Sequence, residues 1–573
     1  MMNWNTFGRG MAVSAIALSV AGLAAAQVTT SSIRGQVTNS DGAAVSGATV
    51  TILHVPTGTV AVTTTTATGA FGAQNLRVGG PYSVTVTGPG FVPSRADDIY
   101  ANLGDATSLD LVVESASDDT ARMETVVITG SAVSAAQVAS GPSSTYNLST
   151  LENAPAMNRD IKDIVRLDPR VYVDEAFNDS ISCAGANPRY NSLTVDGARL
   201  NDNFGLNSNG YPTERIPFSY DSIEQVSVEL APFDVEYGQF TACNINAVTK
   251  SGSNEFHGGA FYDYTSDGFT GDKVDGTDVD LGDFEEKRYG FNVGGPIIKD
   301  KLFFFGSYEK FEGASIFGFT PESAGITQAD YDQIIGIAEG YGYIAGGLPT
   351  SIPVEDEKIF AKLDWNITNN HRAILTYNYN DGFNFSPSDD GSSRLSDGNH
   401  YYERGAKLQN YTGALYSDWT ENLSTEFRVT YVDLENRQIP VGGLDNFGEV
   451  QVRVGGSTVY LGADDSRHAN ELTYETLNFK GKVDYTMGDH LFTFGAEREE
   501  FEVFNLFIQE VQGEWVFNSI ADFAAGQFSD YRYENAAGTN NQDDGAAAFA
   551  YAINTFYAQD EWQVTDKLNI VAG

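Results

Sequence analysis

From residue 255 to the end of the chain at 573, apolar and polar positions alternate over one stretch after another. Leu477, Phe479, Gly481, Val483 and Tyr485 fall on one side of an extended segment, and Asn478, Lys480, Lys482 and Asp484 on the other. Thr425, Phe427, Val429 and Tyr431 alternate with Glu426, Arg428 and Thr430 in the same way. Ile359, Ala361, Leu363 and Trp365 alternate with Lys362, Asp364 and Asn366. A period of two is the strand period, because successive side chains of an extended backbone point to opposite faces. The pattern predicts strands over 256–265, 286–298, 302–312, 354–367, 372–381, 405–419, 423–435, 473–486, 490–502, 549–564 and 568–573. A charged face opposite an aromatic-aliphatic face fits a wet lumen and a lipid exterior. It also fits a soluble sandwich whose apolar face points into a core.

The connections separate these two architectures. Short gaps at 299–301, 368–371, 420–422, 487–489 and 565–567 alternate with long ones at 266–285, 313–353, 382–404, 436–472 and 503–548. The long gaps run to 20, 41, 23, 37 and 46 residues. A membrane barrel has tight turns at one rim and long loops at the other. A sandwich has no reason to put every long loop at one end. Trp365, Trp419, Trp562, Tyr308 and Tyr379 stand near strand ends, where they would suit interfacial girdles. The last strand stops without a closing partner, so the chain is expected to be an N-terminal portion of a larger barrel.

Three further zones precede this one. Residues 1–26 carry Arg9, an apolar run from Met11 and the ending Ala24-Ala25-Ala26, which reads as a secretory signal rather than a membrane span. Residues 27–113 contain short Val/Thr/Ile runs divided by turn signals such as Ser40-Asp41-Gly42 and Thr68-Gly69, the pattern of a small β-sandwich. Residues 114–122 are polar and read as a linker. Residues 123–250 mix helix and strand signals, and begin with the β-prone segment Met123-Glu124-Thr125-Val126-Val127-Ile128-Thr129-Gly130. Such a segment can add as a strand to the exposed sheet edge of a partner.

Charge and composition narrow the function. The formal net charge is −43, from 34 basic and 77 acidic residues. A phosphate-binding surface needs clustered Lys and Arg, so nucleic acid is not an expected partner. Mean hydropathy is −0.25, which disfavours a helical membrane bundle but not a barrel, whose strands average out as polar. The six histidines, His54, His257, His371, His400, His468 and His490, are scattered, with no pair at metal-binding helical spacing. No phosphate loop or nucleophile elbow is present, so no catalytic residue, metal ligand or cofactor is expected. Glu499-Glu500 and Glu285-Glu286 read as solvated charge. Asp196 to Asn203 superficially suggests a calcium loop, but it lacks the order and the terminal glutamate, and a polar hairpin is the simpler reading. Cys183 and Cys243 are the only cysteines. In an exported chain they are expected to pair as a disulfide, the alternative being two free buried thiols.

Two resemblances extend this reading. Gly35-Gln36-Val37, 43–50, Thr68-Gly69-Ala70-Phe71 and Gly80-Pro81-Tyr82-Ser83-Val84 resemble the carboxypeptidase-regulatory-like domain, itself similar to starch-binding modules. The stretch lacks an exposed Trp pair for a sugar platform, so a structural or spacer role is expected. Residues 187–205, 220–228, Val235-Glu236-Tyr237-Gly238-Gln239-Phe240 and 244–252 resemble the plug of TonB-dependent outer-membrane transporters of the Oar-like group.

The second resemblance implies a fold class and a function. The fold would be mainly β: a sandwich at 27–113, a linker with the TonB box at 114–130, a mixed α/β plug at 131–250, and the first half of an antiparallel transmembrane β-barrel at 255–573. Glu124, Thr125, Val126, Val127, Ile128 and Thr129 would form the box. The box would bind TonB, the energy-coupling protein driven by an inner-membrane proton-powered complex. The other implied partners are outer-membrane lipid and an extracellular ligand, the sandwich lying in the periplasm. Active import is the implied activity. A carbohydrate-binding or adhesion-type surface protein without active transport is the alternative.

Overall fold

A computed structural model of the chain describes residues 28–104, 106–115, 126–128, 136–138, 141–175, 179–271, 273–274, 276–278, 283–565 and 568–573. The expected signal segment lies outside the described residues. Eleven strands form one continuous antiparallel sheet in chain order: His257–Ser266, Glu285–Ile298, Leu302–Ile316, Ser351–Asn366, His371–Ser386, Tyr402–Thr420, Leu423–Pro440, Ala469–Met487, His490–Ile508, Ala547–Thr565 and Leu568–Ala572. Most of these run past the lengths that alternation predicts, and the added residues fall mainly at the long-loop ends. Among the described residues, no helix is long and apolar enough to cross a membrane.

The sheet is inside out relative to a soluble sandwich. On the strand Ser351–Asn366, Lys362 and Asp364 are 5% and 1% exposed, whereas Leu363 and Trp365 are 41% and 49% exposed. Glu426, Arg428, Lys480 and Lys482 are likewise buried, and Phe427, Val483 and Tyr485 point outward. Apolar side chains facing out and charged side chains facing in suit a wall with lipid outside and a polar interior. Trp365, Trp419 and Trp562 are exposed beside the short-turn rim.

The long connections fold into a layer of their own. A mixed sheet in the order Arg394–Ser396, Ser457–Leu461, Glu449–Val454, Glu514–Phe517, Asp530–Arg532 gathers residues from three different loops. Helices Gln328–Gly340 and Ile520–Ala524 cover it. The longer helix starts where the Thr327 hydroxyl accepts the Asp330 N–H, a side-chain cap that satisfies one orphan donor. Its Tyr331, Ile334 and Ala338 recur at helical spacing and pack with Leu395, Val452, Val459 and Phe523. Alternation could not foresee this layer as a whole, because the pairs that join it, Arg394–Ser396 with Ser457–Leu461 and Glu449–Val454 with Glu514–Phe517, come from different loops.

The N-terminal sandwich has strands β1 (Ser31–Asn39), β2 (Thr49–His54), β3 (Thr59–Thr64), β4 (Ala70–Leu76), β5 (Gly79–Thr87), β6 (Ser94–Ala101), β7 (Ala106–Ser108) and β8 (Leu111–Val113). Two further strands, β9 (Val126–Ile128) and β10 (Ala136–Val138), come from the chain that follows. One sheet runs β3-β2-β5-β6-β9 and the other β10-β7-β1-β4, with β8 also on β1. Ile33, Val37, Val50, Ile52, Val84 and Val86 fill the space between them.

The central domain, 141–249, is built on the sheet Ser143–Tyr146, Ile223–Glu229, Asn244–Thr249, Ser192–Val195, Ala198–Arg199. Its core is continuous with the barrel interior: Val195, Phe218, Val226 and Ile245 share a cluster with Leu408, Val432, Leu472 and Phe501 of the wall. The domain therefore sits within the curve of the large sheet.

Candidate functional site

The central domain is held to the wall by buried charge. Lys480 and Lys482 stand two residues apart on one strand, so both point inward. Their Nζ atoms lie 3.1 and 2.9 Å from the two carboxylate oxygens of Glu236. Burial works to raise the Glu236 carboxyl, but Lys482 and Lys480 outweigh it and hold the group below the ordinary range. Lys480 also reaches Glu426 at 3.4 Å, and Glu426 pairs with Arg428. Arg199 of the domain meets Glu499 of the wall at 2.5 Å. Glu499 is buried, contrary to the expectation that it is solvated charge: its partner comes from 300 positions away, which local sequence does not show.

The supposed calcium loop is a hairpin with a different role. Asp196 and Gly197, at φ +48° and +80°, turn the chain between Ser192–Val195 and Ala198–Arg199. Positive φ at both centres is what such a two-residue turn needs. A Cβ on Gly197 would sit 1.7 Å from Nη1 of Arg428, so the wall arginine packs against bare backbone. Asp196 accepts the Thr249 N–H at 3.0 Å and lies 3.4 Å from Lys362.

Cys183 and Cys243 are joined by a disulfide, Cα to Cα 5.9 Å, closing a separation of 60 residues within the domain. It ties the hairpin of Val171–Asp174 and Ser180–Cys183 to the strand that begins at Asn244.

Two polar cavities lie on the domain's outer side. One, of about 350 Å³, is lined by Asn187, Arg189, Asn201, Asp202, Asn207 and Tyr211 among others. The other, of about 470 Å³, includes Asp160, Lys162, Glu214, Arg215 and Lys358. Glu214 accepts two hydrogen bonds from Arg404, both 2.9 Å, close to the long-loop end of its strand. Asn201, on the first cavity, accepts a hydrogen bond from Tyr474 near the long-loop end of Ala469–Met487, so both cavities lie toward the long-loop rim.

The sandwich covers the opposite rim. Arg77 bonds Asp364 and Asn366, Asn75 bonds Asp418, and Thr68 bonds Asp489, all at or beside short turns. Arg34 pairs with Glu561. On the domain side, Gln225 accepts the Leu103 N–H at 2.5 Å and donates to Asn102 at 3.1 Å. A cavity of about 140 Å³, with His54, Arg77, Asp196, Lys362 and Asp364 on its walls, marks the junction of all three parts.

Of the proposed partner-binding segment, Glu124, Thr125 and Thr129 lie outside the described residues. Val126, Val127 and Ile128 form β9, parallel to Ser94, Arg95 and Ala96 of β6. They are not beside the cysteines or the Glu236 cluster. Sequence reasoning missed Glu236, Arg77 and Asp364. The signal that could have found them was inward charge on strands 359–366 and 477–485, which demands buried counter-charges. It also missed His400, which the long loops bring to 3.2 Å from Asp389.

Comparison with known proteins returns three family models. The Outer membrane beta barrel domain matches 248–327 and 343–573, the TonB-dependent Receptor Plug Domain matches 136–243, and the Carboxypeptidase regulatory-like domain matches 32–114. The chain is 34% identical over 162 residues to the TonB-dependent transporter Oar of Myxococcus xanthus, covering 26% of this chain and 14% of that one. It is 24% identical over 454 residues to the probable TonB-dependent siderophore receptor PirA of Acinetobacter baumannii, covering 74% and 51%. The crystal structure of the outer membrane transporter YddB from Escherichia coli aligns with a TM-score of 0.53 at 15% identity, over 74% of this chain and 55% of that one, a likeness of fold. The chain thus spans about half the length of PirA and YddB, and less of Oar.

Proposed function

Because the chain belongs to the outer membrane beta barrel family and seats a TonB-dependent receptor plug domain against the inner face of that barrel, we propose that it serves an energy-coupled outer-membrane receptor that imports its ligand. The observation that carries this reading is the Glu236 seat. A plug fixed to its barrel by buried ion pairs and a shared apolar cluster is closed at rest, and opening it requires force that breaks these contacts. The outward polar cavities offer ligand contacts on the plug, and the segment 124–129 offers a periplasmic handle. A pull on that handle, supplied by TonB and its proton-driven complex, would unseat Glu236 from Lys480 and Lys482 and open a path along the wall.

PirA is named as a siderophore receptor, which suggests a metal chelate as one ligand class. The acidic loop 266–285 favours a neutral or cationic ligand over an anionic one. Growth and uptake assays on candidate chelates, sugars and peptides decide the class.

The test of the reading is to replace Val126 and Ile128 by proline in the full-length protein. Proline removes the backbone N–H that strand addition uses. Uptake is expected to be lost while ligand still binds at the cell surface. Unchanged uptake overturns energy coupling and favours a passive or adhesive barrel.

A further inference from the structure

β9 is an edge strand of the N-terminal sandwich. Val126, Val127 and Ile128 continue the sheet β3-β2-β5-β6 in register with Ser94, Arg95 and Ala96. The chain then returns to the other sheet, where Ala136–Val138 pairs antiparallel with Ala106–Ser108. The same domain thus grips the segment on both sides of residues 129–135. Among the described residues no strand pairs with the far edge of β9.

The position of that edge is equally informative. β6 runs toward the plug: its C-terminal end leads to Asn102 and Leu103, which bond Gln225 of the plug. Ser94–Ala96 lies at the other end, seven residues before Leu103. At about 3.3 Å per residue in a strand, that is roughly 20 Å further from the plug, on the short-turn side. β9 therefore lies beside the end of β6 that points away from the plug.

We infer that the sandwich presents Val126–Ile128 as a ready-made edge strand, and that the partner fitting this surface is a periplasmic protein with an open sheet edge of its own. The inference rests on the transport reading above, and its occupant is the coupling protein. An unpaired edge offers a row of backbone N–H and C=O groups, which is the template strand addition uses. Three β-branched residues keep the segment extended. Ordering cost that a free peptide would bear on binding has already been met within the sandwich, and this preorganisation tightens association. The domain then acts as a docking platform, in contrast to a lock that hides the segment.

The experiment uses the full-length protein in detergent, with the purified periplasmic sheet domain of the host's TonB as probe. Arg95→Cys with Val127→Cys places a thiol on each member of a register pair, and the native cysteines are already paired. The two thiols are expected to cross-link under mild oxidation. The oxidised protein is expected to bind the probe within twofold of the same protein after reduction. Removing residues 31–113 is expected to weaken binding at least tenfold. Failure to cross-link overturns the β6–β9 pairing. Loss of binding on oxidation, or equal or tighter binding after removal of the domain, shows that the sandwich hides or ignores the segment, and overturns presentation while leaving transport intact. If the unaltered protein does not bind the probe at all, the transport reading falls and the inference falls with it.

Discussion

The guanidinium of Arg77 in the sandwich grips the carboxylate of Asp364 on the barrel wall with two prongs, Nη2 to Oδ1 at 2.6 Å and Nε to Oδ2 at 3.1 Å. Both side chains are buried, and Nη2 also reaches Asn366 at 2.6 Å. Removing one partner of a buried pair leaves the other charge without compensation, at a cost of about 3–5 kcal/mol. Arg77→Ala is therefore expected to release the sandwich from the rim without unfolding it, since its core of Ile33, Val50, Ile52 and Val84 is untouched. Limited proteolysis of the detergent-solubilised protein checks this: the junction between sandwich and plug should be cut faster, with the sandwich fragment surviving. An unchanged cutting rate would sink the idea that this pair is the latch.

The Glu236 seat makes a second prediction, with a defined pH sign. The folded carboxyl lies below its unfolded value because Lys482 and Lys480 overcome the effect of burial. A depressed acid contributes stability that is present above the unfolded value of about 4.5 and is lost as pH falls below it. Plug protection in hydrogen exchange, read over Ile223–Glu229 and Asn244–Thr249 and corrected for intrinsic rates, should fall from pH 5 toward pH 3. Glu236→Gln should lower it already at pH 7 and flatten the acid dependence. A variant with wild-type protection and the same acid profile would remove Glu236 from the mechanism.

The wall was legible in the sequence because its signal is local. Leu363 and Lys362 are neighbours, and alternation alone places them on opposite faces. Which face meets lipid was settled in the sequence only by loop lengths, and the structure agrees, with Lys362 buried and Leu363 exposed. The seat was not legible. Arg199 finds Glu499 across 300 positions and Arg77 finds Asp364 across 287. Neither residue carries a mark that distinguishes it from solvated surface charge. The outer layer failed for the same reason: Leu395, Val452 and Phe517 belong to different loops, and nothing local says which segments will meet.

The disulfide between Cys183 and Cys243 supplies a third prediction. Closing a separation of 60 residues restricts the unfolded plug, which stabilises it by about 4 kcal/mol on the loop-entropy account. Replacing both cysteines by serine should lower the denaturant midpoint of the plug by a matching amount and leave the barrel transition in place. Segment-resolved hydrogen exchange in urea separates the two. A barrel that weakens equally would show that the bridge acts on the whole assembly.

The outer layer responds to pH in the opposite direction from the plug seat. His400 is fully buried, with Nε2 3.2 Å from Asp389 and 3.9 Å from Asp464, and Nδ1 3.1 Å from the Gly462 carbonyl. Burial works to lower its pKa, but the Asp389 hydrogen bond and the charges of Glu449, Asp464 and Asp389 raise it to about 9. Glu449 is raised to about 7, chiefly by burial, with His400 and the Gln451 hydrogen bond opposing. Arg394, which pairs with Asp389 at 3.0 Å, and Arg467, Asp390 and Asp465 add to the charged surroundings. A histidine held above its ordinary value contributes stability that is complete below about 6.5 and lost as pH rises through about 9. A carboxyl held above its ordinary value gives up stability as pH rises from about 4.5 to about 7. Both changes weaken the layer with rising pH, and between pH 7 and 9 the histidine is the one still titrating. Protease cleavage within 382–404 and 436–472 on intact cells, normalised to a control substrate, should therefore accelerate from pH 7 to pH 9. His400→Gln, which keeps a hydrogen-bonding side chain but cannot take a charge, should show fast cleavage at pH 7 and no further rise. Equal cleavage at both pH values in the unaltered protein would place the charge of His400 outside the forces that hold the outer layer together.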